Sequence, residues 1–238
     1  MKFYFGFSFL LCQFLFFVCT SSAQDTARTY LTASDTSLVP AKQKGHYLKP
    51  VSLIIPGSFI LYGSLKSSIT GIQQTDDDIM ASVKRNHPDF STTADDYLMW
   101  APSASIYLMD ALHVKTRHSF TEHLILDAGS IVVAGGVGFV MRKISHNIDV
   151  YNKQGTKFPS GHTTNAFRGA EIFHQELKAI HPLLSYSGYL VATTVGVLRI
   201  YNKSHLLSEV LAGAGLGILS AKLTYWAFDK VKYKKKRR

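Results

Sequence analysis

The 238-residue chain has room for one sizeable domain, and its 46% hydrophobic and 18% charged residues fit either an oily soluble protein or a small membrane protein. Both cysteines, Cys12 and Cys19, lie in the first twenty residues, which excludes a disulfide, a thiolate metal site and a cysteine nucleophile from the body of the chain. Part of the net charge of +10 sits in the terminal run Lys230 to Arg238, directly after an apolar segment, so it reads as a topology signal and not as a nucleic-acid surface.

In chain order, Met1-Lys2, the apolar run 3–18 and the small residues Thr20 to Ala23 have the pattern of a secretory signal over 1–23, cleaved after Ala23. The alternative is an uncleaved anchor. Residues 24–50 are polar and aperiodic and read as an exported linker. Residues 51–65 are apolar but contain Pro56 and Gly57, and read as a packed or interfacial helix. Residues 66–96 complete a 51–96 unit as an acidic external loop, with Asp76-Asp77-Asp78 taken as a solvated face.

Five apolar segments follow, at 97–112, 124–141, 163–177, 183–200 and 206–228. Several fall short of the roughly 20 residues a full span prefers. Placing the basic tail 230–238 in the cytoplasm puts loop 142–162 and the turn before Leu206 outside, and the basic turn His113 to His118 inside. Ala134-Gly135-Gly136-Val137-Gly138 and Ala212 to Gly217 supply the small residues that let membrane helices approach closely. The fold expected is therefore all-α, a membrane-embedded helical bundle over 97–229 with five spanning helices, six if the signal is an uncleaved anchor. A soluble all-helical protein with glycine packing faces is the alternative.

Two stretches carry the chemistry. Phe158-Pro159-Ser160-Gly161-His162-Thr163-Thr164 puts a small-residue turn and a histidine at a helix start, where unpaired backbone N–H groups and the positive end of the helix dipole favour an anion. Arg199 ends one apolar segment and His205 opens the next, with Glu209 one helical turn on. Glu209 can thus hold one ring nitrogen of His205 and leave the other free to attack, while Arg199 offers a planar fork to phosphate oxygens. Topology places both stretches on the external side.

Pro159-Ser160-Gly161-His162, followed by Arg199, five residues, His205, three residues and Glu209, resembles the second and third motifs of the type 2 phosphatidic acid phosphatase superfamily, which also includes bacterial acid phosphatases and vanadium haloperoxidases. The resemblance covers roughly residues 95–225. It implies a phosphatase with a haloperoxidase-like helical core, no cofactor and no metal for hydrolysis. By the same resemblance His205 is the nucleophile that becomes a phosphohistidine, Glu209 its orienting acid and His162 the general acid. Ser160, Gly161 and Arg199 then bind phosphate.

The first motif of that family, a Lys with Arg-Pro seven residues later, is degenerate. Arg142 falls at the Lys and binds phosphate on this reading, but Asp149 and Val150 fall at Arg-Pro. A carboxylate about 5 Å from a phosphate charge costs roughly 3 kcal/mol at an effective dielectric of 20. Lys143, Lys153 and Lys157 on the same loop are possible compensating charges, and Leu198 replaces the serine of the third motif. The function expected is a multi-pass phosphatase of the bacterial inner membrane that hydrolyses a phosphate monoester or pyrophosphate of a lipid, phosphatidic acid-type or prenyl, at the periplasmic face. The alternative is a catalytically impaired relative that binds phospholipid or has a structural role. Membrane lipids are expected partners and nucleic acid is not.

Overall fold

The computed structural model describes residues 48–146 and 158–236. The signal 1–23, nearly all of the linker, and Asp149, Val150, Lys153 and Lys157 lie outside the described residues. Among the described residues every regular element is helical: α1 (Ile54–Ser64), α2 (Thr70–Asn86), α3 (Ala94–Leu98), α4 (Ala101–Ala111), α5 (Phe120–His146), α6 (Gly161–Leu177), α7 (Ser187–Tyr201) and α8 (Leu207–Lys236). The all-α expectation holds. Helices α4 to α8 correspond to the five apolar segments in order.

α8 is the central post, with α6, α1 and α5 packed around it, and α6 is also flanked by α7 and α4. Small residues set these distances. A β-carbon on Gly213 would stand 2.6 Å from Ser160 O, and one on Gly217 would collide with Thr164 O, so α6 and α8 run backbone to backbone. α1 meets α8 in the same way, since a β-carbon on Gly63 would lie 2.5 Å from Ser208 O.

Two helices are long and apolar enough to cross a bilayer, over Phe120–Ser145 and Leu207–Lys232. They differ in surroundings. Most of the α5 window is exposed, with Ile125, Val132, Phe139, Val140 and Ile144 turned outward, whereas most of the α8 window is enclosed by protein. A long apolar helix with its apolar side chains facing out fits lipid better than water. α4, α6 and α7 have 11, 17 and 15 residues.

The sequence reading needs three corrections. The stretch 66–96 is not an irregular acidic loop, because it holds α2 and α3. Ile72, Ile79 and Val83 form an apolar stripe on α2, and Ile79 and Val83 pack against Ile200 and Val210. Asp76 is not solvated. It is buried, and its carboxylate accepts from Ser208 N–H at 3.0 Å and from the Ser208 hydroxyl. Nor is the 163–177 segment an apolar face. Thr163, Arg168, Glu171, Gln175 and Glu176 are all buried, because neighbouring helices supply partners for each charge. Within 51–65, α1 buries Pro56 and Gly63 while Ile54, Ile55 and Leu61 stay exposed.

Candidate active site

The site forms where the starts of α6 and α8, the end of α7, α3 and the turn after α1 meet. Ser160 caps α6 with an extended backbone (φ −65°, ψ 115°), its hydroxyl oxygen turned toward the Thr163 amide and 2.9 Å from Thr163 Oγ1. Thr164 Oγ1 donates to Ser160 O at 2.8 Å. The fully buried Ser160 side chain thus serves the helix. Gly161 is exposed and His162 half-buried, so their amides, which a helix start leaves without intrahelical acceptors, are the part of the turn offered to a ligand.

Ser160 N–H donates to Glu209 O at 3.1 Å, which ties the α6 start to the α8 start across 49 residues of sequence. The α7–α8 turn is held by Ser204 N–H and His205 N–H, both donating to Arg199 O at 3.0 and 3.2 Å, with Lys203 in the left-handed region (φ 57°). That turn delivers His205 onto Glu209. The His205 Nδ1 to Glu209 Oε2 distance is 2.9 Å, and Glu209 Oε2 also accepts from Leu206 N–H at 3.3 Å. Both side chains are buried. A carboxylate on Nδ1 fixes the tautomer that leaves Nε2 with its lone pair.

Arg199 Nη1 donates to Asp95 Oδ2 at 2.7 Å, and Asn202 Nδ2 donates to Asp95 Oδ1 at 3.0 Å. Arg199 Nε is buried and has no hydrogen-bond partner among the described residues, so the guanidinium keeps an unspent donor. His162 Nε2 lies 2.7 Å from Asp96 Oδ1. Ligand atoms of Asp95, Asp96 and His162 fall within 4.8 Å of one another, a grouping that sequence spacing did not reveal. The hydrogen bonds account for it: Asp95 is engaged by Arg199 and Asn202, and Asp96 by His162.

The structure thus gathers His205, Glu209, Arg199, Ser160, Gly161 and His162 at one end of the bundle. Arg142 and Lys143 are exposed on the last turns of α5. Sequence reasoning missed Lys66, Asp76, Asp95, Asp96 and Asn202. The acidic pairs were visible only as charge bias, since what places them is packing of α2 and α3 against residues about 100 positions away.

Comparison with known proteins bears on the family of the chain. The family model described as the PAP2 superfamily matches residues 82–233. A lipid A 1-phosphatase of Porphyromonas gingivalis is 28% identical over 229 residues, covering 93% of this chain and 51% of that protein. The bacitracin transport permease protein BcrC of Bacillus licheniformis is 34% identical over 95 residues, covering 40% of this chain and 41% of that protein. The chain spans about half the length, or less, of these curated relatives. A transmembrane PAP2-type phosphatidylglycerolphosphate phosphatase from Bacillus subtilis, a solved structure, aligns over 79% of this chain and 98% of its own with 19% identity and a TM-score of 0.39.

Proposed function

The chain belongs to the PAP2 superfamily, and from that premise we propose that it is a membrane phosphatase that hydrolyses a lipid phosphate monoester or pyrophosphate through a phosphohistidine. The observation that carries the proposal is the 3.1 Å bond from Ser160 N–H to Glu209 O, since it puts the amide cradle of α6 beside the His205–Glu209 pair. His205 Nε2 attacks phosphorus. The P–N bond forms as the P–O bond to the lipid breaks, and the protonated His162, held by Asp96, gives its proton to the leaving oxygen. His162, now neutral, takes a proton from water, whose oxygen attacks phosphorus. The P–N bond breaks and inorganic phosphate leaves, restoring both histidines. Arg199 and the Gly161 and His162 amides hold the phosphoryl oxygens as charge builds.

On this reading the five-helix bundle lies in a bacterial inner membrane. The basic tail at the far end of α8, about 45 Å along a 30-residue helix, is cytoplasmic, which supports a periplasmic site. The similarity to a lipid A 1-phosphatase adds a glycolipid 1-phosphate to the phosphatidic acid-type and prenyl pyrophosphate candidates. Asp149 at the first-motif Arg position favours a second reading, a non-catalytic binder of phosphorylated lipid. The test is phosphate release by purified protein from each of these lipids and from a chromogenic monoester. The phosphatase reading expects release that His205→Ala abolishes. No release above that variant from any of the four substrates refutes it.

A further inference from the structure

We infer that Lys66, in the turn after α1 and outside the 82–233 family match, is a positioning residue that acts on the nucleophile through Glu209. The inference rests on the reading of His205 as nucleophile and Glu209 as its orienting acid. Lys66 is 1% exposed, an unusual place for an ammonium group. Its Nζ lies 3.9 Å from Asp76 Oδ2 and 4.0 Å from Glu209 Oε1, and both carboxylates are wholly buried. Glu209 therefore divides its two oxygens. Oε2 takes His205 Nδ1–H and Leu206 N–H, while Oε1 faces Lys66.

This division gives Lys66 two effects on the site. It fixes the rotation of the Glu209 carboxylate, because an oxygen drawn to Lys66 cannot swing toward His205. It also offsets one of two buried negative charges behind the imidazole. Asp76 anchors the ammonium from the other side. Ser208 fixes Asp76 in turn through its N–H and hydroxyl, and Gln73 Nε2 donates to Lys66 O at 2.9 Å. Lys66 is thus held from α2 and α8 and aimed at the one oxygen of Glu209 that the histidine does not use.

A purely structural role is the competing explanation, with Lys66 serving only to neutralise Asp76. The double variant Lys66→Met/Asp76→Asn separates the two, since it removes the Asp76 charge together with its partner. Wild type, Lys66→Met, the double variant and His205→Ala are compared as full-length protein in detergent. The readouts are kcat and KM against pH for a chromogenic monoester, and the titration of the His205 ring by NMR, assigned by its loss in His205→Ala. The expected result is a kcat lowered about 10- to 100-fold in Lys66→Met, as for removal of outer-shell partners elsewhere, with little change in KM. The acid limb of the rate and the His205 titration should both move up in Lys66→Met by about one pH unit, because removing a cation beside the Glu209 carboxylate favours the imidazolium. The kcat loss should persist in the double variant. Wild-type kcat in the double variant, or an unmoved His205 titration in Lys66→Met, overturns the inference. If wild type releases no phosphate, the NMR titration still decides the role of Lys66, while the phosphatase reading alone fails.

Discussion

Gly213→Ala tests the contact that joins the two halves of the site. A β-carbon at 213 would stand 2.6 Å from Ser160 O and 3.2 Å from Thr164 Oγ1, and Ser160 O is backbone, so no rotamer change relieves it. Ordinary contact begins at 3.4 Å, so α6 must withdraw from α8 by about 0.8 Å. Overpacking of this kind costs about 1–3 kcal/mol. The same withdrawal pulls Ser160 N–H from Glu209 O and moves the Gly161 and His162 amides away from His205. A misplacement near 1 Å costs on the order of 10²-fold in rate. The assay is phosphate release by purified protein with a chromogenic monoester, alongside a thermal melt, and both should fall. Gly136→Ala is the control, because a β-carbon there meets nothing within 4 Å and alanine favours the helix; it should keep full activity. Wild-type kcat and melting temperature in Gly213→Ala would refute the argument that this backbone contact sets the site.

Glu209→Gln keeps the shape but removes the charge behind His205, and should lower kcat by about 10²–10⁴-fold, as for the orienting acid of a catalytic triad; steady-state kinetics checks it. Arg199→Lys keeps the charge but loses the fork and the buried Nε donor, so kcat/KM should drop on the order of 10²-fold. His162→Asn should slow alkyl phosphates far more than nitrophenyl phosphate, whose leaving group needs no proton, and Asp96→Asn should show a smaller loss in the same pattern. The pH dependence of stability is set in part by Asp76. Burial raises its carboxyl above the ordinary range, opposed by the Ser208 hydrogen bonds and by Lys66. The folded state therefore binds the proton more tightly, and this contribution to stability is full below the unfolded pKa and lost as pH rises through the folded one. Thermal melts of wild type and Asp76→Asn from pH 7 downward should show wild type gaining on the variant as the solution is acidified.

Local patterns were legible where one short stretch carried both the structure and the chemistry. The helix start after Ser160, Glu209 one turn after His205 and Arg199 at the end of α7 could all be read from spacing, because helix starts and i,i+4 pairs are local. The joining of those stretches was legible only through the resemblance and the topology argument. Lys66, Asp76, Asp95 and Asp96 were not legible. Their partners Glu209, Ser208, Arg199 and His162 lie 143, 132, 104 and 66 positions away, and nothing within a window around each acid or base distinguishes it from a solvated charge. α2 was hidden because three consecutive aspartates outweighed the Ile72, Ile79 and Val83 stripe, although only Asp76 of the three is buried.

α6 shows why average hydropathy misjudges the helix that matters most to the site. A helix enclosed on all sides has no lipid-facing surface, so it needs partners for its polar groups and not an apolar composition. Arg168 donates to Asp127 Oδ1 and Ser130 Oγ, Lys222 and Tyr189 engage Glu171, and Glu176 accepts from His118 and Tyr225. Asp127 and His118 come from α5 and the turn before it, Tyr189 from α7, and Lys222 and Tyr225 from α8. Removing one partner from such a buried pair costs about 3–5 kcal/mol, so each neighbouring helix has a definite register on α6. Apolar packing alone would tolerate sliding, since in lipid no hydrophobic term opposes it. These pairs lie along the same helix that begins at Ser160, so its length registers the amide cradle against His205. On the proposed reading, the polar interior is therefore what preorganises the phosphate site, at the start of a helix fixed from three sides along its length.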